Sequence, residues 1–120
     1  MDNKTTISEV KKMVQEFCEV RDWDQFHSPK ELAISIATEA GELLQCFRFK
    51  SDEESRKIWK GKKGEHVNEE IADVFYFTLR LAQLYNIDLV EILQDKLKKN
   101  DDKYPVEKCK GCNKKYDEFE

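Results

Sequence analysis

Residues 65–85 read EHVNEEIADVFYFTLRLAQLY. Ile71, Val74, Phe75, Phe77, Thr78, Leu81, Leu84 and Tyr85 recur at helical spacing and cover most of the circumference. A helix that is apolar almost all round is buried on every side. The rest of a chain of 120 residues can hardly supply that much cover. The expected architecture is therefore all-α and four-helix bundle-like, with a second subunit providing part of the cover, as in a homodimer or homotetramer.

The flanking segments support the same architecture. A first helix is expected from about Thr6 to Asp22, with Ile7, Val10, Val14 and Phe17 on one face. Trp23–His27 reads as a loop. Ser28-Pro29 then opens a second helix, Ser as N-cap and Pro at the first helical position, running to about Phe47. Ser51-Asp52-Glu53-Glu54 can cap a short helix through Trp59, followed by a flexible basic loop, Lys60–Gly64. After residues 65–85, Asp88 caps a last long helix to about Lys103, which Pro105 ends. The expected division is one domain, residues 1–106, and a polar C-terminal tail, residues 107–120.

Composition narrows the function classes. The net charge is −4 with both signs interspersed, so no basic field points to a nucleic acid polymer. No apolar stretch approaches the roughly 18 residues of a membrane span. Met1-Asp2-Asn3-Lys4 has no signal-peptide character, so the expected location is cytoplasmic. Cys18 and Cys46 read as helical core residues. Cys109 and Cys112 form a lone Cys-x-x-Cys without a second pair, and read as a tail without chemistry.

Two acidic pairs carry the chemical signal. Glu39 and Glu42 stand three apart on the second helix, as do Glu70 and Asp73 on the third. Residues at that spacing share a helix face. Spacing alone is weak: among 25 acidic residues, Glu16/Glu19 and Asp88/Glu91 show it too. Context separates the pairs. Glu39 lies on the stripe of Leu32, Ile36 and Leu43, and no Lys or Arg follows between Glu31 and Phe47. Carboxylates among apolar residues are costly unless neutralised. An all-oxygen set suits Mg²⁺, or Mn²⁺ as a substitute; a di-iron bundle would want Glu-x-x-His, which neither pair has. On pattern alone, a metal site and a pair of solvated acidic faces stand about level.

The residues resemble the MazG-like nucleotide pyrophosphohydrolases, and more nearly the dCTP pyrophosphatase branch of the all-α NTP pyrophosphatases. The resemblance spans roughly residues 6–106. It rests on Arg21–His27, on Thr38-Glu39-Ala40-Gly41-Glu42-Leu43, on Glu69-Glu70-Ile71-Ala72-Asp73-Val74 after a gap of 27 residues between motifs, and on Lys96, Asn100, Lys103, Tyr104 and Pro105. It implies hydrolysis of a nucleoside triphosphate to the monophosphate and pyrophosphate. It implies Mg²⁺ on Glu39, Glu42, Glu70 and Asp73, with Glu39 or Glu42 as general base.

By the same resemblance, Lys96, Asn100, Lys103 and Tyr104 become phosphate contacts. Taken alone, that stripe reads as a solvated basic face favoured by the helix macrodipole. Trp23, Phe26, His27 and Phe49 become walls of a base pocket; taken alone, they read as packing and a helix-start hydrogen bond. Lys60, Lys62 and Lys63 read as a plain basic loop. One departure stands out: the branch tends to have Tyr where this chain has Phe77, with Tyr76 beside it. A catalytically idle helical interaction or regulatory module is the competing reading.

Overall fold

The structure is a computed structural model and describes residues 1–119. Six α-helices occur in it: α1 Ile7–Glu19, α2 Pro29–Gln45, α3 Asp52–Arg56, α4 Lys63–Leu84, α5 Leu89–Lys103 and α6 Val106–Cys109. No strand is present among the described residues. The four long helices are the four expected. None among the described residues is long and apolar enough to cross a membrane. The chain divides into two compact units, Met1–Ile87 and Asp88–Glu120.

In the first unit α4 packs against both α1 and α2. Cys18, Leu32, Ile58, Val67, Leu79 and Ala82 form the apolar core. A fully buried Leu or Val contributes about 1.5–3 kcal/mol. Side-chain caps start the helices where the sequence places them. Thr6 accepts from Glu9 N–H at 3.1 Å and Ser28 from Glu31 N–H at 3.2 Å. Ser51 and Glu54 form a reciprocal capping box.

Helix α1 stops earlier than expected. Trp23 N–H returns to Cys18 O at 3.1 Å and Asp22 N–H to Glu19 O at 3.0 Å, the paired bonds of a Schellman ending. Asp22 takes the left-handed conformation this needs (φ 54°), which Asp tolerates. Asn86 (φ 54°) does the same after α4, where Ile87 N–H bonds Ala82 O at 2.9 Å. The Lys11 ammonium donates to Ile87 O and ties that turn to α1.

The basic loop is shorter than expected, because Gly64 belongs to α4 and is buried. A Cβ built on Gly64 would lie 2.7 Å from Trp59 Cα. The glycine is there for close approach of Trp59, whose indole N–H donates to Asn68 Oδ1 at 2.8 Å.

In the second unit Asp88 caps α5, accepting from Glu91 N–H at 3.0 Å. None of the residues of α5 is buried. The segment read as a polar tail folds onto the end of its own helix. The Tyr104 ring meets Tyr116 at 6.1 Å and Phe119 at 5.9 Å, both edge-on, and Cys109 Sγ donates to Tyr104 O at 3.1 Å. Cys109 and Cys112 are free thiols.

Two glycine substitutions test this account. Gly64→Ala should destabilise by about 1–3 kcal/mol, since the Trp59 backbone must move. Gly41→Ala, with nothing within 4 Å of the new Cβ, should stabilise α2 by about 0.5–1 kcal/mol. Urea unfolding at fixed protein concentration measures both, and equal midpoints for the two variants would contradict the packing described.

Candidate metal centre and nucleotide site

The contact between α2 and α4 brings carboxylates together. One oxygen each from Glu39, Glu70 and Asp73 lie within 4.8 Å of one another. Glu70 is only 8% exposed, and its Oε2 is buried without a hydrogen-bond partner. Its Oε1 faces His66 Nε2 at 3.5 Å. Among the described residues no Lys or Arg pairs with any of the three. Burial, then the facing charges of Asp73, Glu70 and Glu42, hold the Glu39 carboxyl above its ordinary range.

This arrangement fits a hard divalent cation. A buried carboxylate oxygen without a donor is costly to maintain. Three converging carboxylates without a counter-cation repel one another. An all-oxygen donor set of this kind suits Mg²⁺ or Mn²⁺ rather than a softer metal.

Glu42 stands outside the trio. It is exposed and borders a cavity of about 490 Å³, shared with Arg48, Lys50, Lys62, Lys63 and His66. Lys62 and Lys63, read from sequence as plain loop, thus join a cationic hollow beside the acidic cluster. The sequence signal was present in the two Lys, but their convergence with Arg48 needs the turn at residues 58–62.

The aromatic residues separate into two groups. The Trp23 ring meets Phe17 at 5.8 Å and His27 at 6.3 Å, both edge-on. Phe26 is exposed on the same short turn. Phe49 is 91% exposed and takes a left-handed conformation (φ 66°), with the Arg48 guanidinium 4.6 Å from its ring centre. An exposed aromatic in that region is strained and contributes nothing to the core. The Tyr76 hydroxyl is engaged with Cys18 Sγ at 3.1 Å, and burial raises its pKa strongly. It therefore does not replace the hydroxyl absent at Phe77, whose ring lies 4.8 Å from that of Tyr76.

Lys96, Asn100 and Lys103 form one stripe of α5 within the second unit. The Lys103 ammonium sits 4.9 Å from the Tyr116 ring centre, and Tyr104 is half-buried against the folded-back segment. Sequence reading missed Arg80, which is fully buried on α4 and pairs with Asp24, His27 and Gln83. The available signal was a cation set in an apolar helix without a neighbouring acid on that helix.

Comparison with known proteins follows the same lines. The profile of the MazG-like family matches residues 34–119. The chain is 34% identical to dCTP pyrophosphatase 1 of Rattus norvegicus over 112 residues, covering 92% of this chain and 66% of that protein. It is 31% identical to dCTP pyrophosphatase 1 of Homo sapiens over 115 residues, covering 95% of this chain and 68% of that protein. The chain thus spans about two thirds of the length of these relatives. A crystal structure of a pyrophosphatase from Archaeoglobus fulgidus superposes with a TM-score of 0.76 at 39% identity, covering 82% of this chain and 92% of that one. The chain belongs to the MazG-like family.

The cluster makes a prediction about stability. Glu70→Gln removes one of three facing charges at nearly constant volume, so the metal-free variant should melt no lower than the metal-free wild type. Mg²⁺ at a hundredfold excess over its Kd should stabilise the wild type by about 2.7 kcal/mol and the variant far less. Equal Mg²⁺-induced shifts in the two melting curves would remove Glu70 from the site.

Proposed function

We propose that this MazG-like chain is an enzyme that hydrolyses a nucleoside triphosphate, dCTP foremost, to the monophosphate and pyrophosphate. The observation that carries the reading is the convergence of Glu39, Glu70 and Asp73 on one point, with Glu70 buried and one of its oxygens without a partner. The names of the relatives point the same way. Glu39, Glu70 and Asp73 would hold Mg²⁺, with Glu42 as a fourth ligand on a change of rotamer. Bound there, the cation would neutralise phosphate charge and lower the pKa of a water.

The chain's own residues account for the remaining tasks. Of Glu39 and Glu42, Glu42 suits the general base better. It is exposed, stands outside the trio and borders the cationic hollow. Arg48, Lys50, Lys62 and Lys63 around that hollow suit the charge of a leaving pyrophosphate. Lys96, Asn100, Lys103 and Tyr104 remain the proposed contacts to the triphosphate. Trp23 and His27 remain the proposed base contacts, with Phe49 as an aromatic that closes over the base. A cytoplasmic site of action belongs to the same proposal.

Assembly as a homodimer or homotetramer is part of this reading. Helix α5 buries none of its residues, yet exposes Val90 (50%), Leu93 (58%) and Leu97 (56%). On α4, Ile71 and Phe75 remain 46% and 48% exposed. A second copy of the chain would cover such faces.

The test is direct. Incubation with a panel of ribo- and deoxyribonucleoside triphosphates plus Mg²⁺ should release pyrophosphate, most rapidly from dCTP, and EDTA should abolish it. Glu42→Gln should lose about 10²–10⁴-fold in turnover, the usual worth of a general base, while keeping a Mg²⁺-dependent melting shift, reduced but present, from the other three ligands. Phosphate release without pyrophosphate, or full turnover in EDTA, would refute the reading. Light scattering should give a mass of at least two chains, and an active monomer would contradict the assembly.

A further inference from the structure

Arg80 is the largest fully buried side chain, at 0% exposure. Its Nε donates to His27 Nδ1 at 2.9 Å, its Nη1 donates to Gln83 Oε1 at 2.6 Å, and its Nη2 pairs with Asp24. A guanidinium carries five N–H donors and no acceptor, and it does not deprotonate in proteins. The ring nitrogen it faces must therefore present a lone pair. In a neutral imidazole the other nitrogen then carries the proton. So His27 Nδ1 accepts and Nε2 bears the N–H.

The surroundings reinforce that state. The charged and titratable groups facing His27 are Arg80 from α4 and Asp24 from its own turn, with the Trp23 ring 6.3 Å away. Burial first, then Arg80, lower the His27 pKa, and Asp24 opposes them only in part. Protonating Nδ1 would set an N–H against the N–H of a buried cation. The other edge is different. His27 is half-buried, and Nε2 is not among the buried atoms that lack a partner. That edge keeps access to a ligand, and it can only donate.

We propose that Arg80 is a positioning residue that fixes His27 as an obligate donor through Nε2, so that a nucleotide base beside Trp23 must present an acceptor there. The ligand part rests on the reading of His27 as a base contact. A single N–H aimed at the ring-nitrogen position meets the bare N3 of cytosine and is opposed by the N3–H of uracil, whereas the O2 carbonyl, common to both bases, does not discriminate. A site that leaves a buried donor unpaired, or sets two donors together, discriminates far more sharply than one that only fills space. Asp24 and Gln83 take the remaining donors of Arg80 and hold its plane.

The experiment begins on the wild-type protein. Nitrogen-15 spectra of the His27 imidazole should show the neutral Nε2–H tautomer at pH 7, and it should persist as the pH falls below 6.5, the ordinary His value. An Nδ1–H tautomer, or an imidazolium at pH 7, overturns the proposal whatever the activity. The second arm measures the Kd ratio of dUMP to dCMP by tryptophan fluorescence, which needs no hydrolysis. Arg80→Gln, checked for folding by circular dichroism, should collapse that ratio at least tenfold by freeing the tautomer. An unchanged ratio in the folded variant overturns the proposal, as does a wild type that binds the two nucleotides equally. If Arg80→Gln does not fold, His27→Phe carries the same arm, because it keeps an aromatic ring and removes the Nε2 donor, so the ratio should collapse likewise. A wild type that shows the tautomer and the binding preference but releases no pyrophosphate would refute the hydrolytic reading and leave this one standing.

Discussion

Three carboxylates meeting between α2 and α4 are the constraint on which the rest of the molecule depends. Glu70 is almost wholly buried, and one of its oxygens has no donor. Glu39 is held above its ordinary pKa by burial and by the facing acids. Folding alone would not gather these groups, because each added charge raises the cost of the next. Helix α2 packs on α4 in spite of that repulsion, and each contributes a buried apolar residue to the core, Leu32 and Val67 among them. A divalent cation turns the same geometry from a penalty into a binding site.

The rest of the first unit positions that contact. Side-chain caps at Thr6 and Ser28 and left-handed turns at Asp22 and Asn86 fix where α1, α2 and α4 begin or end. Gly64 lets Trp59 press against the first turn of α4, which brings Lys62 and Lys63 round to the cavity that Glu42 borders. The acidic trio and the cationic hollow are thus neighbours along the same two helices. One suits a cation and the other suits the anion that would accompany it. Two turns along α4 from Asp73, Arg80 ties the Asp24–His27 turn to the helix through Asp24 and His27, while Gln83 on α4 itself takes a further donor.

Much of this was legible in the sequence because local chemistry decides it. Ser28-Pro29, the capping box at Ser51 and Asp88 each announce a helix start within a few residues, and the structure agrees. Glu39, Glu42, Glu70 and Asp73 stood out as two pairs three residues apart, with Glu39 on an apolar stripe without a cation nearby. What escaped depends on groups distant in the chain. Gly64 reads as a loop residue until Trp59 is placed against it. Glu42 stands three residues from Glu39 on α2, yet it is exposed and lies outside the trio. Arg80 reads as a stray cation until a turn more than fifty residues earlier supplies its partners. The segment after Pro105 looked featureless because its packing rests on Tyr104, Tyr116 and Phe119 rather than on any periodic pattern.

The central claim is that Glu39, Glu70 and Asp73 hold a hard divalent cation. Crystals grown with Mn²⁺ and measured at the manganese absorption edge test it most directly, since the anomalous signal locates the ion without reference to activity. The account predicts a peak within coordination distance of one oxygen from each of the three carboxylates. An anomalous map with no peak there, or with manganese only elsewhere on the chain, would contradict it.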